Sequence, residues 1–172
     1  MCIRDSDYAD LIEKSYGGFE LYQRTGTPIH PMSPLSKIFW MRHEEPKIFK
    51  QTAMFADLKT YVLFQLYERF VIDYSLGSAT GMMNLEQLDW DNKALELLGI
   101  ERNQLPQLVP TTHVLTGMKK RYATLMGIDE QTPVIVGASD GVLSNLGVNS
   151  YQKGEVAAVS YTHLRAHETS LH

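Results

Sequence analysis

Asp140 is the residue of this chain best placed to do chemistry. It lies within residues 132–148, TPVIVGASDGVLSNLGV, where Val134-Ile135-Val136 reads as a buried strand of apolar, β-branched residues. Gly137-Ala138-Ser139 follows as a small-residue turn that lets a ligand approach the backbone. A helix is predicted over residues 141–146. An α/β sheet presents reactive groups at the carboxyl ends of its strands, and Asp140 stands at one. Three readings are open on these residues alone. The carboxylate can serve as a general base toward a hydroxyl, or it can cap the helix that follows. Alternatively Gly137 and Gly141 can belong to a dinucleotide-binding turn. The last fits worst, because the spacing is G-x-x-x-G and only about 30 residues follow for a second strand and an acidic ribose ligand. A nicotinamide-dependent reductase would also need a downstream Tyr-x-x-x-Lys pair, and none follows.

Two other segments carry polar groups suited to a small ligand. His30, Met32 and Ser33 sit in a loop stiffened by Pro28 and Pro31, which can present His30 to carboxylate or hydroxyl groups. Residues 73–81, DYSLGSATG, are small, polar and turn-rich, with Ser75 facing a ligand or with Asp73 or Ser75 simply capping a helix. His163 and His167 have the spacing of metal ligands on a helix. They lie in a terminal segment set aside below, so no metal site is assigned.

The elements that must position these groups follow from periodicity and punctuation. Residues 7–24 read as one amphipathic helix with Gly17-Gly18 as a weak point or break. Ser33-Pro34 is a helix start, an N-cap serine followed by proline at the first helical position. That helix should run to about His43, with a short one following from Glu45-Pro46 toward Gln51. Asp57 caps a helix apolar over most of its circumference and therefore expected to be central. Phe70-Val71-Ile72 is a short strand, residues 92–98 a helix closed by Gly99, and Trp90 a core anchor. Residues 105–110, bounded by two prolines, read as an extended surface linker. Thr116-Gly117 opens a helix reaching Met126, and residues 154–159 read as a further strand.

Composition bounds the class. With 172 residues, 44% hydrophobic and 21% charged, the chain can bury one core or be one domain of something larger. Its net charge of −4 argues against nucleic acid as a partner, and the run Lys119-Lys120-Arg121 reads as the solvated face of a helix. No apolar run approaches the ~20 residues of a membrane span, and the first residues lack the apolar core of a secretory signal. The single cysteine, Cys2, excludes an internal disulfide and fits a reducing cytoplasm.

Five segments in order then carry a resemblance: residues 25–37 (TGTPIHPMSPLSK), 55–61 (FADLKTY), 73–81 (DYSLGSATG), 88–91 (LDWD) and 133–141 (PVIVGASDG). Together they resemble the FGGY family of carbohydrate kinases and, within it, are most similar to the bacterial gluconate kinases. The resemblance implies an α/β, helix-rich part of an actin-like ATPase (ribonuclease H-like) domain with a few strands, sugar and ATP binding in a cleft between two domains. Residues 7–159 would be the later part of the N-terminal, sugar-binding domain. Residues 1–6 and 160–172 resemble translated sequencing-adapter sequence and are excluded as foreign ends.

The implied reaction is ATP-dependent phosphorylation of a sugar acid, D-gluconate to 6-phosphogluconate, in the cytoplasm. The alternatives are another FGGY kinase acting on xylulose, glycerol or a related polyol, and a non-catalytic binding domain of the same fold. The family's catalytic aspartate carries over to Asp140, with Gly137 and Gly141 giving substrate close approach. His30, Met32, Ser33 and Ser75 carry over as candidates for the sugar side. ATP and Mg2+ would serve the full-length protein, and a homodimer of it is allowed. The family's Gly-Thr-Ser-Gly phosphate loop is replaced here by Ser160-Tyr-Thr-His, so no ATP contact is assigned and this chain alone is expected to be inactive.

Overall fold

A capping side chain or a glycine marks several of the helix ends in this chain. The computed structural model, which describes residues 3–150 and residue 152, shows helices starting and stopping at those positions. The chain divides at the Gly137–Ala138 bond into two units.

In the first unit, α1 (Ile3–Ser15) and α2 (Gly18–Thr25) replace the single helix expected over residues 7–24. Gly17 between them has φ +68°, a left-handed conformation that only glycine adopts cheaply, so the chain turns there. α3 (Pro34–Glu44) starts as its sequence requires, the Ser33 hydroxyl accepting the Ser36 N–H. α4 (Pro46–Gln51) and α5 (Leu58–Tyr67) follow, and Asp57 caps α5 by accepting the Thr60 N–H at 3.0 Å. β1 (Val71–Asp73) runs without a loop into α6 (Tyr74–Ala79). β2 (Met83–Asn84) and β3 (Asp89–Trp90) form an antiparallel pair ahead of α7 (Asn92–Leu98), which Gly99 closes. Beyond a 3-10 turn at Arg102–Gln104 come β4 (Gln107–Val109), β5 (Val114–Leu115), α8 (Lys120–Met126) and β6 (Val134–Ile135). No helix among the described residues is long and apolar enough to cross a membrane.

The parallel pair β1–β4 is the wall between two cores. Its register sets Val71 against Gln107, Ile72 against Leu108 and Asp73 against Val109. Side chains alternate across a strand, so the two faces feed different clusters. Ile72 joins Leu35, Phe39, Trp90 and Leu98, with Leu108 packed on them. Val71 and Val109 join Leu63, Tyr67, Leu115 and Val136 on the other side.

Four expectations are corrected. The proline-bounded segment is not a surface linker: its inner three residues are β4, and Val109 is 2% exposed. Pro106 precedes the strand, so the ladder loses no donor, and Gln107 N–H reaches the Phe70 carbonyl at 2.9 Å. The helix expected from Thr116 begins only at Lys120, because Gly117 takes φ +78°, outside the right-handed helical region, and the Gly117 and Met118 N–H groups donate to the Glu130 carbonyl, at 3.0 and 2.8 Å. α5 is peripheral rather than central: Thr60, Leu63 and Tyr67 face inward while Leu58 is 78% exposed. The strand expected to be buried is β6, which among the described residues pairs antiparallel with β5 alone and leaves Ile135 63% exposed. An antiparallel pair can pack one face and leave the other to water. The further strand expected over residues 154–159 lies outside the described residues, as does the terminal segment that follows it.

Asp91 is a structural junction of the first core. It caps α7 through the Ala94 N–H at 2.9 Å, takes Arg24 Nε at 2.8 Å and Nη2 at 3.2 Å, and accepts from Asn84 Nδ2 at 3.1 Å. Trp90 beside it is buried, its indole N–H donating to the Pro106 carbonyl at 2.9 Å, as a core anchor should. Asp91→Ala removes the cap and leaves Arg24 and Asn84 without their acceptor. The expected loss is about 3 kcal/mol of unfolding free energy by urea titration, and a loss well under about 1 kcal/mol would class the pair with ordinary surface bridges.

Candidate active site

Asp140 opens α9 (Asp140–Gly147) in the second unit, a helix one residue longer at each end than its sequence suggested. Ser139 holds the N-cap position, so Asp140 is the first helical residue rather than the cap. Its Oδ1 accepts the N–H of Gly141 at 2.8 Å, and the residue is exposed. Anionic groups are favoured in a first helical turn, where the peptide dipoles present their positive ends. A β-carbon placed on Gly141 would meet nothing within 4 Å, so the backbone beside the carboxylate is open.

In the first unit, the loop before α3 carries His30, Met32 and Ser33. His30 and Met32 are exposed, and Ser33 is buried. The Met32 N–H donates to His30 Nδ1 at 3.1 Å, which makes Nδ1 the acceptor nitrogen and leaves Nε2 to reach a ligand. The Ser33 hydroxyl caps α3 and donates to the His30 carbonyl at 2.8 Å, so it shapes the loop. Ser75 is half-buried in the first turn of α6, with both its N–H and its hydroxyl on Asp73 Oδ1. Asp73 is the cap, as the plainer reading of residues 73–81 had it.

These segments, far apart in sequence, are tied together. The Thr27 hydroxyl donates to the Ser78 carbonyl at 2.6 Å and the Leu35 N–H to the Thr80 carbonyl at 3.1 Å, which joins the His30 loop to α6. Asp73, fully buried, holds the start of α6 through Oδ1 and takes Lys59 Nζ at 2.7 Å on Oδ2. Lys59 also donates to the Gly137 carbonyl at 3.2 Å. Gly137 has φ +74°, and its own N–H reaches the Thr111 carbonyl at 2.9 Å. Hydrogen bonds therefore connect the neighbourhoods of His30, Ser75 and Gly137 within one unit. Asp140 and Gly141 belong to the second.

Lys59 is the residue that sequence reasoning missed. One signal was available: a cation in the first turn of a helix opposes the peptide dipoles and needs a reason to be there. The buried carboxylate of Asp73 is that reason. Burial acts to raise the Asp73 pKa, but hydrogen bonds from Lys59 and Ser75, the Lys59 charge and the Leu76 N–H outweigh it and hold the group below the ordinary carboxylate value. Among the described residues, no three His, Cys, Asp or Glu side chains gather as a metal ion would need.

Residues 1–147 match the model of the FGGY family of carbohydrate kinases, N-terminal domain. A gluconokinase of Bacillus subtilis (strain 168) is 51% identical over 154 residues, 90% of this chain and 30% of that protein. Among solved structures, a gluconate kinase and a ligand-bound xylulose kinase, both from Lactobacillus acidophilus, each superpose with a TM-score of 0.82 at 34% identity. Each match covers 86% of this chain and 30% of the other. The chain thus spans under a third of the length of the relatives it matches.

Because the Asp73 carboxyl binds its proton less readily folded than unfolded, the unfolded state takes up more protons as pH falls. The stability this group contributes is fully present above its unfolded value of about 4 and is lost as pH drops through the lower folded value. Urea unfolding followed from about pH 6 to about pH 3 should show this decline, and Asp73→Asn should remove its share of it. An identical acid slope in the variant would overturn the assignment.

Proposed function

The chain belongs to the FGGY family of carbohydrate kinases, and from that premise we propose that it is part of an ATP-dependent kinase that phosphorylates a sugar acid, D-gluconate, to 6-phosphogluconate. Its helix-rich architecture with a few short strands is that of the family's actin-like ATPase fold. We read residues 7–159 as the later part of the N-terminal, sugar-binding domain of a cytoplasmic protein of the relatives' length. The 51% identity to the Bacillus subtilis gluconokinase supports the choice of substrate, while the solved gluconate and xylulose kinases match this chain equally, at 34% identity.

Phosphoryl transfer asks little covalent work of a protein beyond positioning and charge stabilisation. What the substrate hydroxyl needs is a carboxylate within about 3 Å to orient it and accept its proton as its oxygen attacks phosphorus in line. Asp140 is proposed for that role: its exposure and the open backbone at Gly141 leave room for a polyhydroxylated molecule. Gly137 admits close approach in the same way, since a β-carbon there would meet nothing within 4 Å. His30 through Nε2, Met32 and Ser75 would line the sugar side, with Ser33 holding the loop that presents His30. ATP supplies the phosphoryl group, with Mg2+ as its counterion. The described residues offer no converging metal ligands, so no residue here is assigned to either.

In the full-length protein, Asp140→Asn should lower kcat by about 10²- to 10⁴-fold while the KM for gluconate moves little. Turnover near wild type would remove Asp140 from the mechanism. ADP release measured across D-gluconate, xylulose and glycerol should favour gluconate in kcat/KM. Preference for the ketose or the polyol would reassign the substrate, and no ADP release with any of them would leave a binding domain.

A further inference from the structure

The peptide bond from which the chain runs on toward Asp140 is held by an ammonium group. Lys59 Nζ lies 2.7 Å from Asp73 Oδ2 and 3.2 Å from the Gly137 carbonyl oxygen, 78 residues away in sequence. Gly137 is a residue whose peptide plane would otherwise turn freely, since it lacks a side chain, sits at φ +74° and has open space where a β-carbon would be. Its N–H is held by the Thr111 carbonyl at 2.9 Å, and the preceding Val136 N–H by the His113 carbonyl at 2.9 Å. Lys59 supplies the third restraint, on the carbonyl of the Gly137–Ala138 bond.

The strength of that restraint comes from Asp73. Its carboxylate is fully buried, so the charge must be matched where it stands. Oδ1 is engaged by α6, and Lys59 is the cation on Oδ2. An ammonium fixed in this way has further donors to give, and the Gly137 carbonyl receives a charge-assisted hydrogen bond. The buried carboxylate cannot release the lysine without being left unpaired.

We propose that Lys59 is a positioning residue for the phosphoryl-transfer reaction: by holding the Gly137 carbonyl it sets the peptide leading into Asp140, and it acts through Asp140 rather than on substrate. The inference rests on the reading of Asp140 as the base. Lys59 itself contacts neither reactant, and Asp73 anchors it.

The test uses the full-length kinase, with kcat at saturating gluconate and ATP referred to the folded fraction measured by circular dichroism. Lys59→Met should lower kcat about 10- to 100-fold, the scale of a small misplacement of a reacting group, with the KM for ATP unchanged. Lys59→Arg, which can reach both acceptors, should recover most of that loss. Trp90→Phe, which weakens the core elsewhere, should lose stability and keep its kcat. If Lys59 acts through Asp140, the double variant Lys59→Met/Asp140→Asn is no slower than Asp140→Asn alone. Where Lys59→Met does not accumulate as folded protein, Lys59→Gln carries the same comparison, with the same losses expected. An inactive Asp140→Asn together with a Lys59→Met or Lys59→Gln of normal kcat, or with losses that multiply in the double variant, overturns this inference alone. An Asp140→Asn of normal turnover overturns the base on which it rests.

Discussion

A carboxylate taken fully out of water must find its partners within the fold, and Asp73 meets that demand in a way that shapes much of the first unit. It ends β1, so its backbone belongs to the wall between the two cores. It begins α6, so one oxygen satisfies amides that the helix leaves without partners. The other oxygen calls for a cation, and the first turn of α5 supplies Lys59. Lys59 then extends the same network to the turn after β6. One buried charge thus links strand and helix directly and, through Lys59, the turn after β6.

Asp91 repeats the arrangement in the other core, with Arg24 as its cation and α7 as the helix it starts. Asp57 does the same at α5 without a cation, using Thr60. These aspartates stand at strand or loop ends, and each is committed to the amides of the helix it begins. Asp140 occupies a similar junction with a different outcome. The cap position falls on Ser139, one residue earlier, and Asp140 moves into the first turn with its side chain exposed. A shift of one residue separates an aspartate that caps a helix from one that stands exposed in its first turn.

The segments with the most glycine and proline divided into legible and illegible according to whether their signals were local. Ser33-Pro34, Asp57 and Gly99 act on their own neighbours, and the helices begin or end at them. Pro106 and Pro110 invited the reading of a linker, since nothing local says that the three residues between them pair with a strand more than thirty positions earlier. The start of α8 was misplaced for a like reason: the amides of Gly117 and Met118 are drawn to Glu130, beyond the helix they were expected to open.

The sequence by itself determined the helix boundaries set by capping residues, the family to which the chain belongs, and Asp140 as its reactive candidate. Those depend on residue types at short spacing, where backbone preferences and side-chain capping operate. Only the tertiary structure decided that Lys59 pairs with the buried carboxylate of Asp73, and that the same lysine grips the Gly137 carbonyl. It also decided that β4 is a core strand. Each of these is a contact between distant positions, set by which groups the fold removes from water together, and no local pattern encodes that.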